Sequence, residues 1–83
     1  MSAAELRAIV CEVLGEIAPE VDCAALRGDR PLRDQVDLDS MDFLNLLVGV
    51  HQRTGVEIPE TDYAKLTTLD RLVSYLAERS LQR

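Results

Sequence analysis

The first patterned stretch of the chain is Leu6, Ile9, Val10, Val13, Leu14 and Ile17. Steps of three and four residues put these side chains on one stripe of an amphipathic helix. Ser2 and Glu5 stand where a capping box satisfies two backbone donors at a helix start. Pro19 disfavours helical geometry at the residue before it, so the helix is predicted to close there. Cys11 falls well off the stripe and is expected to be partly exposed.

From Pro19 to Leu38 no period is sustained. A connection of about 20 residues is long for a compact domain and usually carries function or a short hidden element. Val21, Leu26, Leu32, Val36 and Leu38 are expected to pin this crossover to the core, with one helical turn near Ala24 to Arg27.

A second long helix is predicted from about Asp39 to Thr54. Projected at about 100° per residue, Asp42, Asn45, Gly49, Gln52 and Arg53 form a narrow polar stripe. Met41, Phe43, Leu44, Leu46, Leu47, Val48, Val50 and His51 spread over an apolar arc of roughly 220°. So wide an apolar face predicts a helix covered on more than one side, the central wall of the core. Gly55 is placed to end it. Pro59, with Glu60 and Asp62 in the following turn, opens a brief helix. Thr67 and Asp70 repeat the capping pattern ahead of a last stripe of Leu69, Leu72, Val73, Leu76 and Ala77, whose negative end Arg79 and Arg83 complement. The predicted fold is all-α: one domain over residues 1–83, a four-helix bundle of three long helices and one short one, with a long loop between the first and second.

Composition agrees with packed helices and limits the chemistry. With 47% hydrophobic residues, 4% aromatic and no tryptophan, the core must be aliphatic. A chain of 83 residues buries only about 60% of its unfolded surface, which leaves little room for a deep catalytic pocket. The net charge of -6 argues against nucleic acid and anionic membranes, both of which need clustered Lys and Arg. It suits either a basic protein partner or simple solubility. The N-terminus lacks a basic stretch followed by an apolar one, and no apolar run approaches about 18 residues, so the expectation is a cytoplasmic monomer without stable membrane insertion. Cys11 and Cys23 have no metal-ligand spacing and are too few for a disulfide scaffold; both are expected to be free thiols.

The stretch "VDLDSMDFLN", residues 36–45, holds the candidate chemistry. A calcium loop starting at Asp37 needs an oxygen ligand, a glycine and a glutamate where Met41, Asp42 and Val48 stand. Phosphoryl transfer by Asp37 and Asp39 lacks the buried strand and the Lys and Asp partners it requires. A serine triad at Ser40 has no glycine-flanked elbow, and the only histidine, His51, lies on the apolar arc as a core or core-edge residue. No catalytic constellation assembles, so no enzymatic activity is expected.

Ser40 itself is weighed first as a helix cap. With Ser40 as N-cap, the reciprocating position is Phe43, which cannot accept a hydrogen bond; with Asp39 as N-cap it is Asp42, which can. Asp39 is the better cap, and Ser40 becomes the first helical residue with its hydroxyl released. A group on that oxygen emerges at the mouth of the bundle. An apolar group on a tether can fold back among Leu44 and Leu47, at about 0.8 kcal/mol per buried methylene. Gly49, which costs about 1 kcal/mol against alanine inside a helix, is read either as a place for a partner's close approach or as tolerated variation.

At these residues the chain resembles the acyl carrier proteins. Their modification motif, Asp-Ser followed by a hydrophobic residue and an acid, stands here as Asp39, Ser40, Met41, Asp42, and the likeness continues through "TGVEIPETDYAKLTTLDRLVSYL". The resemblance implies a non-enzymatic carrier with 4'-phosphopantetheine, taken from coenzyme A by a phosphopantetheinyl transferase, on Ser40. Its thiol would carry acyl or polyketide-like intermediates to acyl-loading, elongating or transferring enzymes. Asp39 would help place the transferase's metal and basic surface, and Met41 would fill the transferase contact. Asp37, Asp42, Asn45, Glu57, Glu60 and Asp62 complete the implied partner surface. The family often has several acids along the second long helix, whereas here the stripe after Asp42 is Asn45, Gly49, Gln52 and Arg53. That departure implies a specialised lipid or secondary-metabolite pathway over ordinary fatty-acid synthesis. A peptidyl or aminoacyl carrier and an unmodified helical interaction module are the alternatives.

Overall fold

The computed structural model describes residues 2–80. Helix α1, Ala3–Ile17, begins with the predicted capping box: the Glu5 amide donates to Ser2 Oγ at 3.2 Å, and the Ser2 amide donates to Glu5 Oε1 at 3.5 Å. Its stripe buries Leu6, Val10, Val13 and Leu14, and Ala18 closes it ahead of Pro19 by donating to the Leu14 carbonyl. Helix α3, Ser40–Thr54, ends on Gly55, whose φ of 73° is a left-handed conformation that a residue without Cβ adopts at little cost. Helix α4, Leu69–Ser80, buries Leu69, Leu72 and Leu76. The predicted all-α architecture with three long helices is the observed one, and the described residues contain no strand.

The crossover carries more structure than its pattern announced. The predicted turn near Ala24 is a 3-10 segment, η1, Cys23–Ala25, capped by Asp22. A one-turn helix, α2, Leu32–Gln35, follows Pro31 and has no counterpart in the periodicity. Gln35 closes the loop before it, accepting from the Arg27 amide at 2.6 Å and donating to the Arg27 carbonyl at 2.8 Å. Leu32, Val36 and Leu38 are buried as expected, with Val21 and Leu26 packed beside them.

Two expectations about caps and cysteines are corrected. Thr68, not Thr67, caps α4, its Oγ1 accepting from the Arg71 amide at 3.1 Å. Thr67 is engaged by the crossover: its carbonyl accepts from the Leu32 amide at 2.8 Å, Pro31 and Thr68 form an isolated antiparallel bridge, and the Asp70 amide donates to the Gly28 carbonyl. This tertiary clip moves the helix start by one residue. Cys11 and Cys23 are not free thiols but a disulfide, with Cα atoms 5.9 Å apart. The return of the crossover over α1 brings together two residues that sequence spacing leaves unrelated. Arg83 lies outside the described residues; Arg79 reaches back over the Tyr75 ring, 4.7 Å from its centroid.

The central wall is also reassigned. The main interhelical packing is α1 against α3 and α1 against α4, so α1 is the helix both others share. On α3 only Leu46, Leu47, Val50 and Thr54 are buried, whereas Met41 is 62% and Val48 41% exposed, and His51 is exposed as well. The outward face is therefore rotated from the predicted polar stripe toward Met41 and Val48. Gly49 explains the rotation: a Cβ there would stand 2.7 Å from Val13 Cγ1, so the missing side chain is what lets α1 press against α3. Beside it Arg53 bridges Glu12 at 3.5 Å and Glu16, both on α1. Gly49 and Arg53 thus belong to the α1 seam.

Candidate functional site

The long crossover ends at Leu38, which is buried and fixes where the next residues emerge. Asp39 then takes an extended conformation (φ -86°, ψ -178°) that suits an N-cap. Its Oδ1 accepts from the Asp42 amide at 2.8 Å, and Asp42 Oδ2 accepts from the Asp39 amide at 3.4 Å. The capping predicted from residue types is thus present, with Asp39 in the cap and Asp42 reciprocating.

Ser40 follows as the first residue of α3, exposed, and its hydroxyl has no hydrogen-bond partner among the described residues. Asp37, Met41 and Asn45 are exposed around it, and Asp42 is half-buried by its part in the cap.

Tyr63, on the 3-10 segment η2, Glu60–Lys65, separates two shallow apolar grooves beside α3. One, of about 370 Å³, runs between Leu47, Val48 and His51 on α3 and Ile58 and Pro59 opposite. The other, of about 270 Å³, is lined by Pro31, Arg33, Phe43, Tyr63 and Thr67. His51 is a rim residue: its Nδ1 donates to the Val56 carbonyl at 2.8 Å, which fixes the strand of chain forming the groove's far wall. The predicted short helix is therefore real but of 3-10 type, and it faces α3 across open space.

The remaining acids separate into two groups. Glu57 and Glu60 are exposed on the rim of this valley. Asp62 is turned inward: its Oδ2 accepts from the Tyr75 hydroxyl at 2.7 Å and from Arg79 at 3.4 Å, and its Oδ1 pairs with Lys65 at 3.5 Å. The Tyr75 hydrogen bond, helped by the Lys65 and Arg79 charges, lowers the Asp62 pKa. Desolvation and the Asp62 bond raise that of Tyr75. Sequence reasoning had no signal for this cluster, because its members lie 13 and 17 residues apart. Among the described residues no group of three or more His, Cys, Asp or Glu is arranged to hold a metal ion.

Residues 4–76 match the family model for the phosphopantetheine attachment site. The acyl carrier protein of Renibacterium salmoninarum is 32% identical over 76 residues, covering 88% of this chain and 89% of that protein. That of Rhodococcus erythropolis is 34% identical over 73 residues, covering 88% and 75%.

The chain belongs to the acyl carrier protein family.

It is a carrier and not an enzyme, and its cofactor is covalently bound 4'-phosphopantetheine. Its partners are phosphopantetheinyl transferases and acyl-handling enzymes. No helix among the described residues is long and apolar enough to cross a membrane.

Proposed function

We propose that Ser40 is the residue that holds the 4'-phosphopantetheine arm, and that the cargo is an acyl or polyketide-like intermediate of a specialised pathway. The observation that carries the first part is the division of roles in the cap: Asp39 and Asp42 satisfy each other and leave the Ser40 hydroxyl exposed and unpartnered. The Ser40 hydroxyl donates to no described side chain, the flanking Asp39 and Asp42 carboxylates being engaged in the cap, so its proton is left for the transferase to take. When bound, the arm supplies the thiol on which acyl groups are held as thioesters. Val48, Ile58 and Tyr63 offer apolar surface to such a chain in the valley between α3 and η2.

Asp37, Asp39, Met41, Asp42, Asn45, Glu57 and Glu60 form the partner surface, while Asp62 acts on it from behind by holding η2 against α4. The case for a specialised pathway rests on the outward face of α3. Besides Asp42 it presents Met41, Asn45, Val48 and Gln52, none of them charged, and Arg53 is paired with Glu12 and Glu16. Partners that read this face do so by apolar contact and amide hydrogen bonds more than by a basic patch.

Incubation with a broad-specificity phosphopantetheinyl transferase, magnesium and coenzyme A is expected to add one phosphopantetheine to the intact protein by mass, and to add none to Ser40→Ala. Addition to the Ser40→Ala protein would move the site elsewhere. Identifying the native thioester by mass on protein isolated from its own cell tests the cargo; an amino acid on the arm refutes the acyl assignment.

A further inference from the structure

Arg33, on α2, lies against the segment that presents Ser40. Its Nε donates to the Leu38 carbonyl at 3.2 Å, and its side chain lines the groove shared with Phe43, in the first turn of α3, and Tyr63. Two residues span at most about 7 Å of chain, which bounds how far the backbone at Leu38, where the guanidinium is anchored, can lie from Ser40.

The charges around it are one-sided. Between Asp34 and Asp42 the sequence carries Asp34, Asp37, Asp39 and Asp42 and no cation. Arg33 nevertheless forms no ion pair with any of them, nor with any other described residue. A guanidinium carries five N–H donors in a rigid fork; here one is engaged at Leu38, and none of the others bonds to a described residue. Adding a phosphodiester to Ser40 places a further negative charge in this acidic stretch. A fork of free donors anchored two residues away is the group that can offset it.

We propose that Arg33 is a binding residue for the phosphodiester on Ser40, contacting its oxygens through the N–H groups not used by Leu38. This rests on Ser40 as the attachment residue. The bland alternative is that Arg33 only pins the Leu38 carbonyl, and the two differ in whether the effect of Arg33 depends on the modification.

The test is a four-protein comparison of thermal midpoints at low ionic strength: unmodified and fully modified forms of the natural chain and of Arg33→Gln, with modification confirmed by mass. Arg33→Gln is expected to lower the midpoint of the modified protein by a few degrees more than that of the unmodified one, and the excess is expected to shrink as salt is raised. Equal losses in both forms, or an excess that salt leaves unchanged, would overturn the phosphodiester contact and leave Arg33 as a loop pin. Absence of any mass addition to the natural chain would instead overturn the Ser40 assignment, and this inference with it.

Discussion

Helix α3 has two unlike sides. Toward α1 it is sealed: Val13 presses into the space left by Gly49, and Arg53 ties Glu12 and Glu16 across the seam. Toward η2 it is open, with Val48 exposed and apolar grooves on either side of Tyr63. Close packing makes the first side resist any change in volume, while the second has room beside it. The proposed arm on Ser40 would use both: a fixed point of attachment and an open apolar side for changing cargo.

The largest effect is expected at the covalent clip on α1, outside the open valley. The Cys11–Cys23 bridge spans a sequence separation of 12. A loop of about that length contributes about 3 kcal/mol in the chain-entropy account, or roughly 10–20 °C of midpoint in a domain of this size. Thermal denaturation with and without a dithiol reductant checks this. An unchanged midpoint would show that the sealed half does not depend on the bridge. In a reducing cytoplasm the pair would stand as thiols and the protein would work without this increment.

Placing leucine on each side of α3 sharpens the contrast. Gly49→Leu drives a side chain into Val13 and is expected to cost about 1–2 kcal/mol, overpacking outweighing the gain in helix propensity. Val48→Leu, on the exposed side, is expected to stay within about 0.5 kcal/mol. Chemical denaturation of both variants decides it, and equal effects would erase the distinction between sealed and open sides.

The smallest effect concerns how the open side is held. Because the folded-state pKa of Asp62 is lowered, its contribution is present above the ordinary carboxylate pKa and is lost as pH falls through the folded value. The stability advantage of the natural chain over Asp62→Asn should therefore shrink as pH drops below about 4. Midpoints of both proteins between pH 3 and pH 7 measure it. A constant difference across that range would remove the charge on Asp62 as the holder of η2.

Much of this was legible before any coordinates. The i, i+3, i+4 stripes located α1, α3 and α4 because burial of one helix face repeats along the chain. The Asp39 and Asp42 cap, and with it the freed Ser40, followed from local hydrogen-bonding capacity. The misplacements fall where the local pattern does not carry the outcome. Thr68 replaces Thr67 as a cap because the crossover takes the Thr67 carbonyl, α2 forms inside a segment with no period, and the outward face of α3 is turned because α1 packs onto Gly49.

The sequence by itself therefore determined the three long helices, the caps of α1 and α3 and the release of the Ser40 hydroxyl, all set by interactions within about four residues of chain. Only the tertiary structure decided which face of α3 meets solvent, that Cys11 meets Cys23, that Asp62 answers to Tyr75 and Arg79, and that Arg33 leans on Leu38. Those contacts join segments that meet only when the crossover and helices pack, and such a meeting leaves no period in the chain that makes it.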